Sequence, residues 1–219
     1  MGHTETLGSV VFVDLTMPLE EQLKFYHRRL RTYINKSRTI YTIKEANILT
    51  DLDLFIKLYY ENMRRVNANE AYFFDKKYFL DLINSSDFET EVLMAKSKKT
   101  GEVAGGAMFI KKNEIIQYHL SGTSERYLDL NPIKLLIDEM RIRGTKEKFK
   151  YFNLGGGVGS KEDSLFYFKS GFSKNTIPFK VWKYMVNPKI YEDLVQQRKD
   201  IQNCKETMHY FPRYRANKI

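Results

Sequence analysis

With 219 residues, 42% hydrophobic side chains, 15 Phe and 15 Tyr, the chain is long and apolar enough for one large or two small folded domains, which excludes the disordered class. Its 36 Lys and Arg against 27 Asp and Glu give a net charge of +9, suited to anionic partners such as phosphates, nucleic acid or the inner face of a membrane, or to a plainly solvated basic surface. A single cysteine, Cys204, excludes an internal disulfide and a cysteine metal cluster. His3, His27, His119 and His209 lack metal-ligand spacing. No stretch approaches the roughly 18 apolar residues of a membrane span and no leader-like segment opens the chain, so the expectation is a soluble, cytoplasmic protein, at most peripheral to a membrane.

In chain order, residues 1–10 are small and polar and are expected to fray. Val10–Leu15 is a β-branched strand. After Pro18, Leu19, Leu23, Tyr26 and Leu30 recur at helical spacing and predict one helix over 19–33, whose other positions carry His27, Arg28, Arg29 and Arg31. Residues 39–46 alternate as a strand. A helix over 51–66, capped by Thr50 or Asp51, and a shorter one over 75–83 follow. Strands over 91–97, 103–110 and 114–121 then form an antiparallel meander. A helix runs from Asn131 or Pro132 to about Arg143, closed by Gly144, with Ile133, Leu136, Ile137 and Met140 inward. A last strand over 177–186 and a last helix from Pro188 to about Gln202 end the chain. This order predicts an α+β domain with a mixed, mostly antiparallel sheet flanked by helices. The boundary is expected near Ser37–Arg38, dividing an N-terminal strand and basic linker helix (1–37) from the main domain (38–219).

The stretch Tyr151–Phe172, YFNLGGGVGSKEDSLFYFKSGF, concentrates the functional signal. A short strand runs into Gly155, Gly156, Gly157 and Gly159. Ser160 with Asp163 then reads as a capping-box-like helix start, and Gly171 as the glycine after the helix. Glycines opening onto a helix N-terminus suit an anion or a substrate carbonyl, because unpaired N–H groups point there. The alternative is a flexible connecting turn, which needs fewer than four glycines.

This order, together with Tyr118–Thr123 (YHLSGT), the helix after Asn131-Pro132, the glycine stretch, Asp163–Phe172 and the Trp182 strand, resembles the FemAB-like group of the GNAT acyltransferases, which includes peptidoglycan-bridge aminoacyltransferases. The segment EEQLKFYHRRLRTYINKSR is similar to that group's linker helix, and the likeness covers about Val10 to Val195. Such proteins usually have two GNAT-like halves; this chain resembles the second half plus the linker. The Arg/Gln-x-x-Gly-x-Gly/Ala coenzyme A turn of other GNAT enzymes is absent: Ser121–Asn131 holds Gly122 and Arg126 without that glycine spacing.

The resemblance implies a transferase moving an acyl group from acyl-CoA, or an aminoacyl group from tRNA, onto an amine of a cell-envelope or polysaccharide precursor, without a metal. It places Tyr167 where many GNAT enzymes keep the acid that protonates the departing thiolate. A phenol of pKa about 10 suits that step; the alternative is a tyrosine packed between helix and sheet. His119 has the pKa range of a base, and strict alternation puts it with Ser121 on one face and Tyr118 with Leu120 on the other. Glu125, Asp129 and Asp163 are the other candidate bases; the alternatives are a half-buried, hydrogen-bonded His119, loop surface for Glu125 and Asp129, and helix capping for Asp163. Gly155, Gly156, Gly157, Gly159 and Ser160 are expected to hold the donor or its carbonyl, and Arg28, Arg29 and Arg126 to meet a phosphate, a tRNA or anionic lipid. A non-catalytic GNAT-like binding half is the remaining reading. Phe172, Phe179, Trp182 and Tyr184 are expected in the core.

Overall fold

The structure is a computed structural model that describes residues 2–198 and 210–216. Cys204 and His209, and the expected end of the last helix, lie outside them. Seven strands form one sheet in the order β2-β3-β4-β5-β6-β1-β7: β1 Gly2–Asp14, β2 Tyr41–Glu45, β3 Glu89–Ser97, β4 Val103–Lys112, β5 Ile115–Thr123, β6 Tyr151–Gly155 and β7 Thr176–Tyr184. The helices are α1 Leu19–Lys24, α2 Arg28–Ile40, α3 Ile48–Arg65, α4 Lys76–Ile83, α5 Pro132–Lys146, α6 Ser164–Ser170 and α7 Pro188–Gln197. The architecture is α+β, with a mixed sheet in which β5 and β6 run parallel, joined by the α5 crossover.

The chain divides into two compact units. One is Ser9–Ile177; the other combines Met1–Gly8 with Pro178–Ile219. In the first, two apolar clusters sit on opposite faces of the sheet. Leu93, Ala107, Phe109 and Phe152 pack with Leu30 and Ile34 of α2 and Leu136 and Met140 of α5. Val92, Met94 and Met108 pack with Phe55 and Tyr59 of α3 and Phe79 of α4. In the second unit, Lys183 pairs with Glu5 and lies over the Phe211 ring, and Trp182 stacks on Tyr184 at 5.0 Å. Among the described residues no helix is long and apolar enough to cross a membrane.

Several boundaries differ from expectation for local reasons. Residues 2–10 belong to β1 instead of fraying. The helix expected over 19–33 breaks at residues 25–27, because Tyr26 turns inward to Asp138 and the His27 N–H donates to the Gly171 carbonyl. Thr39 and Ile40 finish α2 instead of opening β2. α3 starts three residues early on an Asn47 cap, while Asp51 accepts from Lys44 and from the Asn47 N–H. α5 runs past Gly144, which lets Ile116 and Leu15 approach the helix. Phe172 is buried as expected, but Phe179, Trp182 and Tyr184 are 43%, 70% and 49% exposed, since β7 is an edge strand.

Gly122 shows how closely α3 lies on β5. A Cβ built there would sit 2.3 Å from the Leu58 carbonyl carbon and oxygen and 2.5 Å from the Tyr59 nitrogen. These are backbone atoms and cannot swing aside. Gly122→Ala is therefore expected to destabilise the fold by about 3 kcal/mol, read as a lower urea midpoint at unchanged slope; an unshifted midpoint would show that the two elements separate freely.

Candidate functional site

The parallel pairing of β5 with β6 is short, covering Ile115–Gln117 against Tyr151–Asn153. Beyond it β5 stays in the sheet through β4, and β6 through β1. Each of those ladders carries an irregularity, one between Met108 and Phe109 and one between Val11 and Phe12. The strands therefore part at their carboxyl ends, where parallel strands joined by a crossover helix commonly bind ligands. Side chains take up backbone groups near the divergence: Asn153 Oδ1 accepts from the Gly155 N–H at 2.8 Å, and Gln117 Nε2 donates to the Tyr118 carbonyl at 2.8 Å.

The irregularity on β5 is a bulge at His119. Tyr118 pairs with Phe109 and Leu120 with Met108, leaving His119 as the extra residue. Strict alternation therefore fails here. Tyr118 packs with the α5-side cluster and Leu120 with the α3-side cluster. Tyr118 and Ser121 end on one face, their hydroxyls 2.5 Å apart, and burial pushes the Tyr118 phenol up to about 12. His119 turns toward α4, with Nε2 2.7 Å from the Tyr78 hydroxyl. Burial lowers its pKa from 6.5, so the ring is neutral at neutral pH and able to take a proton.

At the end of β6 the glycine turn is folded tightly. Gly155 has φ 80°, and a Cβ on Gly156 would come within 2.7 Å of the Ser9 carbonyl. α6 begins at Ser164 with Asp163 as its cap, not with a Ser160–Asp163 capping box; Ser160 sits at φ 64° in the preceding 3-10 turn. The Asp163 carboxylate accepts from the Phe166 and Val158 N–H groups, both at 3.0 Å, and these bonds hold its pKa below the usual value. The protein's own carboxylate thus sits at the N-terminus of α6.

The most unusual group here is Lys169, which the sequence reading passed over. Its side chain is buried on α6, and Nζ donates to the Gly156 carbonyl at 2.6 Å. Burial depresses its pKa to about 8, with only the nearby Asp163 charge acting the other way. A buried ammonium with no ion pair among the described residues is costly, and strongly shifted groups of this kind cluster at functional sites. The signal was present in the sequence: Lys169 lies three residues from each of the buried Phe166 and Phe172, a charge on the helix's inner stripe.

The other expected site residues are spread out. Tyr167 is 65% exposed on α6. Arg28 and Arg29 are exposed at the start of α2, by the Gly171 end of α6, opposite the glycine turn. Arg126 pairs with Glu102 at 2.7 Å, and Glu125 and Asp129 are exposed on the same 3-10 turn. The structure brings together the glycine turn, Asp163 and Lys169. Among the described residues, no hydrogen bond or ring contact links His119 to Tyr167 or to Lys169.

The turn from β5 to α5 is a 3-10 helix over Glu125–Leu130. Several of its N–H groups are already used: Ser124 donates to the Ala104 carbonyl, Tyr127 to Ser124 and Asn131 to Leu128.

The sequence matches no family model and no curated protein. Solved structures do match. FemX superposes with a TM-score of 0.71 at 12% identity, over 86% of this chain and 67% of that one. The C-terminal DUF2156 domain of a putative lysylphosphatidylglycerol synthetase from Agrobacterium fabrum superposes with a TM-score of 0.58 at 16% identity, over 91% and 66%. L-PGS from Bacillus licheniformis gives 0.55 at 16% identity, over 83% and 62%. The chain thus spans about two thirds of the length of these structures, and at such identities the likeness is one of fold. The fold of this chain is the GNAT-like fold of the FemAB type.

Proposed function

We propose that the protein is an acyltransferase, moving an acyl group from acyl-CoA to an amine of a cell-envelope or polysaccharide precursor. The observation that carries this reading is the parting of β5 and β6, with the buried Lys169 ammonium at the glycine turn where β6 ends. In the proposed step the amine nitrogen attacks the acyl carbonyl carbon, the carbon–sulfur bond breaks, and the thiolate takes a proton from Tyr167. The amine's proton leaves to His119 or to water. Lys169 stabilises the oxyanion of the tetrahedral intermediate, the usual task of a fixed positive group in a water-poor site. The glycine turn aligns the carbonyl. No metal is required by this scheme. The reading carries with it a cytoplasmic location, and the net charge of +9 supports contact with the anionic inner face of the membrane or with tRNA.

Transfer of an aminoacyl group from tRNA is the second reading, favoured by the occupied N–H groups of the turn before α5. Tyr167→Phe separates the two. Tyr167 is exposed and makes no side-chain hydrogen bond among the described residues, so the variant is expected to keep its melting temperature. With an acyl-thioester donor its turnover is expected to fall about 10²-fold, the low end for a lost general acid; unchanged turnover would remove that role. Calorimetric titration with acetyl-CoA and with a charged tRNA identifies the donor, and binding of neither leaves the non-catalytic reading.

A further inference from the structure

The second compact unit, Met1–Gly8 with Pro178–Ile219, carries nine Lys and Arg against five Asp and Glu. Within it the two faces of β7 differ. Lys183 points to one face, where its ammonium pairs with Glu5 and lies over the Phe211 ring. Phe211 in turn stacks on Tyr191 of α7 at 6.0 Å, so that face is covered. Lys180, Trp182 and Tyr184 alternate onto the other face, and all three are exposed.

The uncovered face is built, not merely bare. A Cβ placed on Gly2 of β1 would come within 2.7 Å of the Tyr184 ring and 2.8 Å of Trp182 Nε1, so the β1 backbone forms the floor beneath both rings. The rings stack on one another, 5.0 Å apart at 29°. Glu5 lies on the opposite face with Lys183, and alternation puts the exposed Thr4 and Thr6 beside Gly2. Residues 176–186 hold no acidic side chain. Lys180 has no carboxylate partner among the described residues. Trp182 is 70% exposed, and Val186, two residues beyond Tyr184, is 87% exposed. The face thus offers two amphipathic rings and an ammonium with no negative charge beside them.

We propose that this face of β7 docks on an anionic lipid bilayer, with Trp182 and Tyr184 entering the headgroup region and Lys180 meeting lipid phosphates. Trp and Tyr suit that depth because it satisfies an apolar ring and a polar N–H or O–H together. A negatively charged leaflet attracts the basic unit as a whole. Single-stranded RNA fits less well: bases stack on open aromatic faces, and here each ring has turned one face to the other. A second copy pairing along the β7 edge is opposed by Pro178 and by the lysines of the strand. The assignment supplies a surface for the membrane contact in the reading above and is independent of the transfer chemistry.

Trp182 is the only tryptophan of the chain, so its emission reports on this face alone. Titrating the full chain with equimolar phosphatidylcholine and phosphatidylglycerol vesicles is expected to shift that emission to the blue and to sediment the protein. Both effects are expected to weaken with salt, and pure phosphatidylcholine to bind about tenfold more weakly. Lys180→Glu/Tyr184→Ala keeps the tryptophan probe and is expected to lose about tenfold in vesicle affinity at unchanged melting temperature, since both side chains are exposed. Trp182→Ala, followed by sedimentation, is expected to show a similar loss. Lys169→Met is expected to bind vesicles like the wild type, which separates failure of this surface from failure of the transfer reading. Sedimentation with unshifted emission, or equal binding by wild type and variants, would overturn the proposal. So would a blue shift that follows protein concentration or added RNA hairpin and not lipid.

Discussion

Lys169→Met is expected to lower acyl transfer by 10²–10³-fold, the range seen when one donor to a developing oxyanion is removed, while leaving the protein at least as stable at pH 7. The two effects have one cause. Burial holds the Lys169 pKa near 8 instead of 10.5, so keeping the ammonium charged below pH 8 works against folding by roughly 3 kcal/mol, at 1.4 kcal/mol per pKa unit. Methionine fills similar volume without that charge, at the loss of one hydrogen bond to the Gly156 carbonyl. Between pH 8 and 10.5 the unfolded chain binds the Lys169 proton and the folded chain does not, so wild-type stability from this group rises with pH across that window. In Lys169→Met that rise is absent. Transfer by the wild type is expected to fall as pH passes through about 8, because the working form is the ammonium. Denaturant melts at pH 7 and pH 10, set beside rates over pH 6–9.5, provide the test. A variant that loses stability while keeping its rate would make Lys169 a structural residue and leave the proposed mechanism without its electrostatic element.

The second large effect is at Asp138 on α5. Its carboxylate is 2% exposed and accepts from the Tyr26 hydroxyl at 2.9 Å, from Arg38 at 2.5 Å and from Arg141 at 3.0 and 2.9 Å. Arg141, itself 2% exposed, also donates to Gln22 Oε1 at 2.9 Å, and Gln22 reaches the Met17 carbonyl and Thr145. Burial and the Asp138 charge together raise the Tyr26 phenol well above its usual pKa. This network fastens α1 and α2 to α5. Asp138→Ala strands the Arg141 guanidinium in the interior and is expected to cost about 3–5 kcal/mol. Replacing both partners, Asp138→Leu with Arg141→Met, is expected to restore most of that stability, since the penalty belongs to the unpaired charge and not to the absence of the pair. Urea unfolding of the single and double variants measures both. A double variant as unstable as Asp138→Ala would mean that the Tyr26 and Arg38 contacts dominate.

Much of the architecture was readable because it is local. The meander over β3–β5 follows from alternation and turn residues. The inward face of α5 follows from the spacing of Ile133, Leu136, Ile137 and Met140, all of them buried. The site was readable only in outline. The glycine turn stood out as composition, yet its tight packing against Ser9 and the capping by Asp163 depend on how β1 and α6 close on it. His119 was named, but its surroundings followed from a bulge that no periodic pattern encodes, because the extra residue is set by pairing with β4. Arg28 and Arg29 were grouped with the site by charge alone, and the break at residues 25–27 carries them to the far end of α6.

What the sequence by itself determined is the order of elements and the α+β class, each a matter of periodicity, capping and turn chemistry between near neighbours in the chain; the likeness to the FemAB-type fold came from the resemblance of particular motifs. Only the tertiary structure decided which charges are buried and what they face. Lys169 and Asp138 look alike in the sequence, each a charge on a helix with apolar neighbours. Burial gives Asp138 two arginines and a tyrosine, and gives Lys169 a backbone carbonyl and, among the described residues, no ion pair. The energy of a buried charge depends on partners brought from distant parts of the chain, which near neighbours in the sequence do not specify.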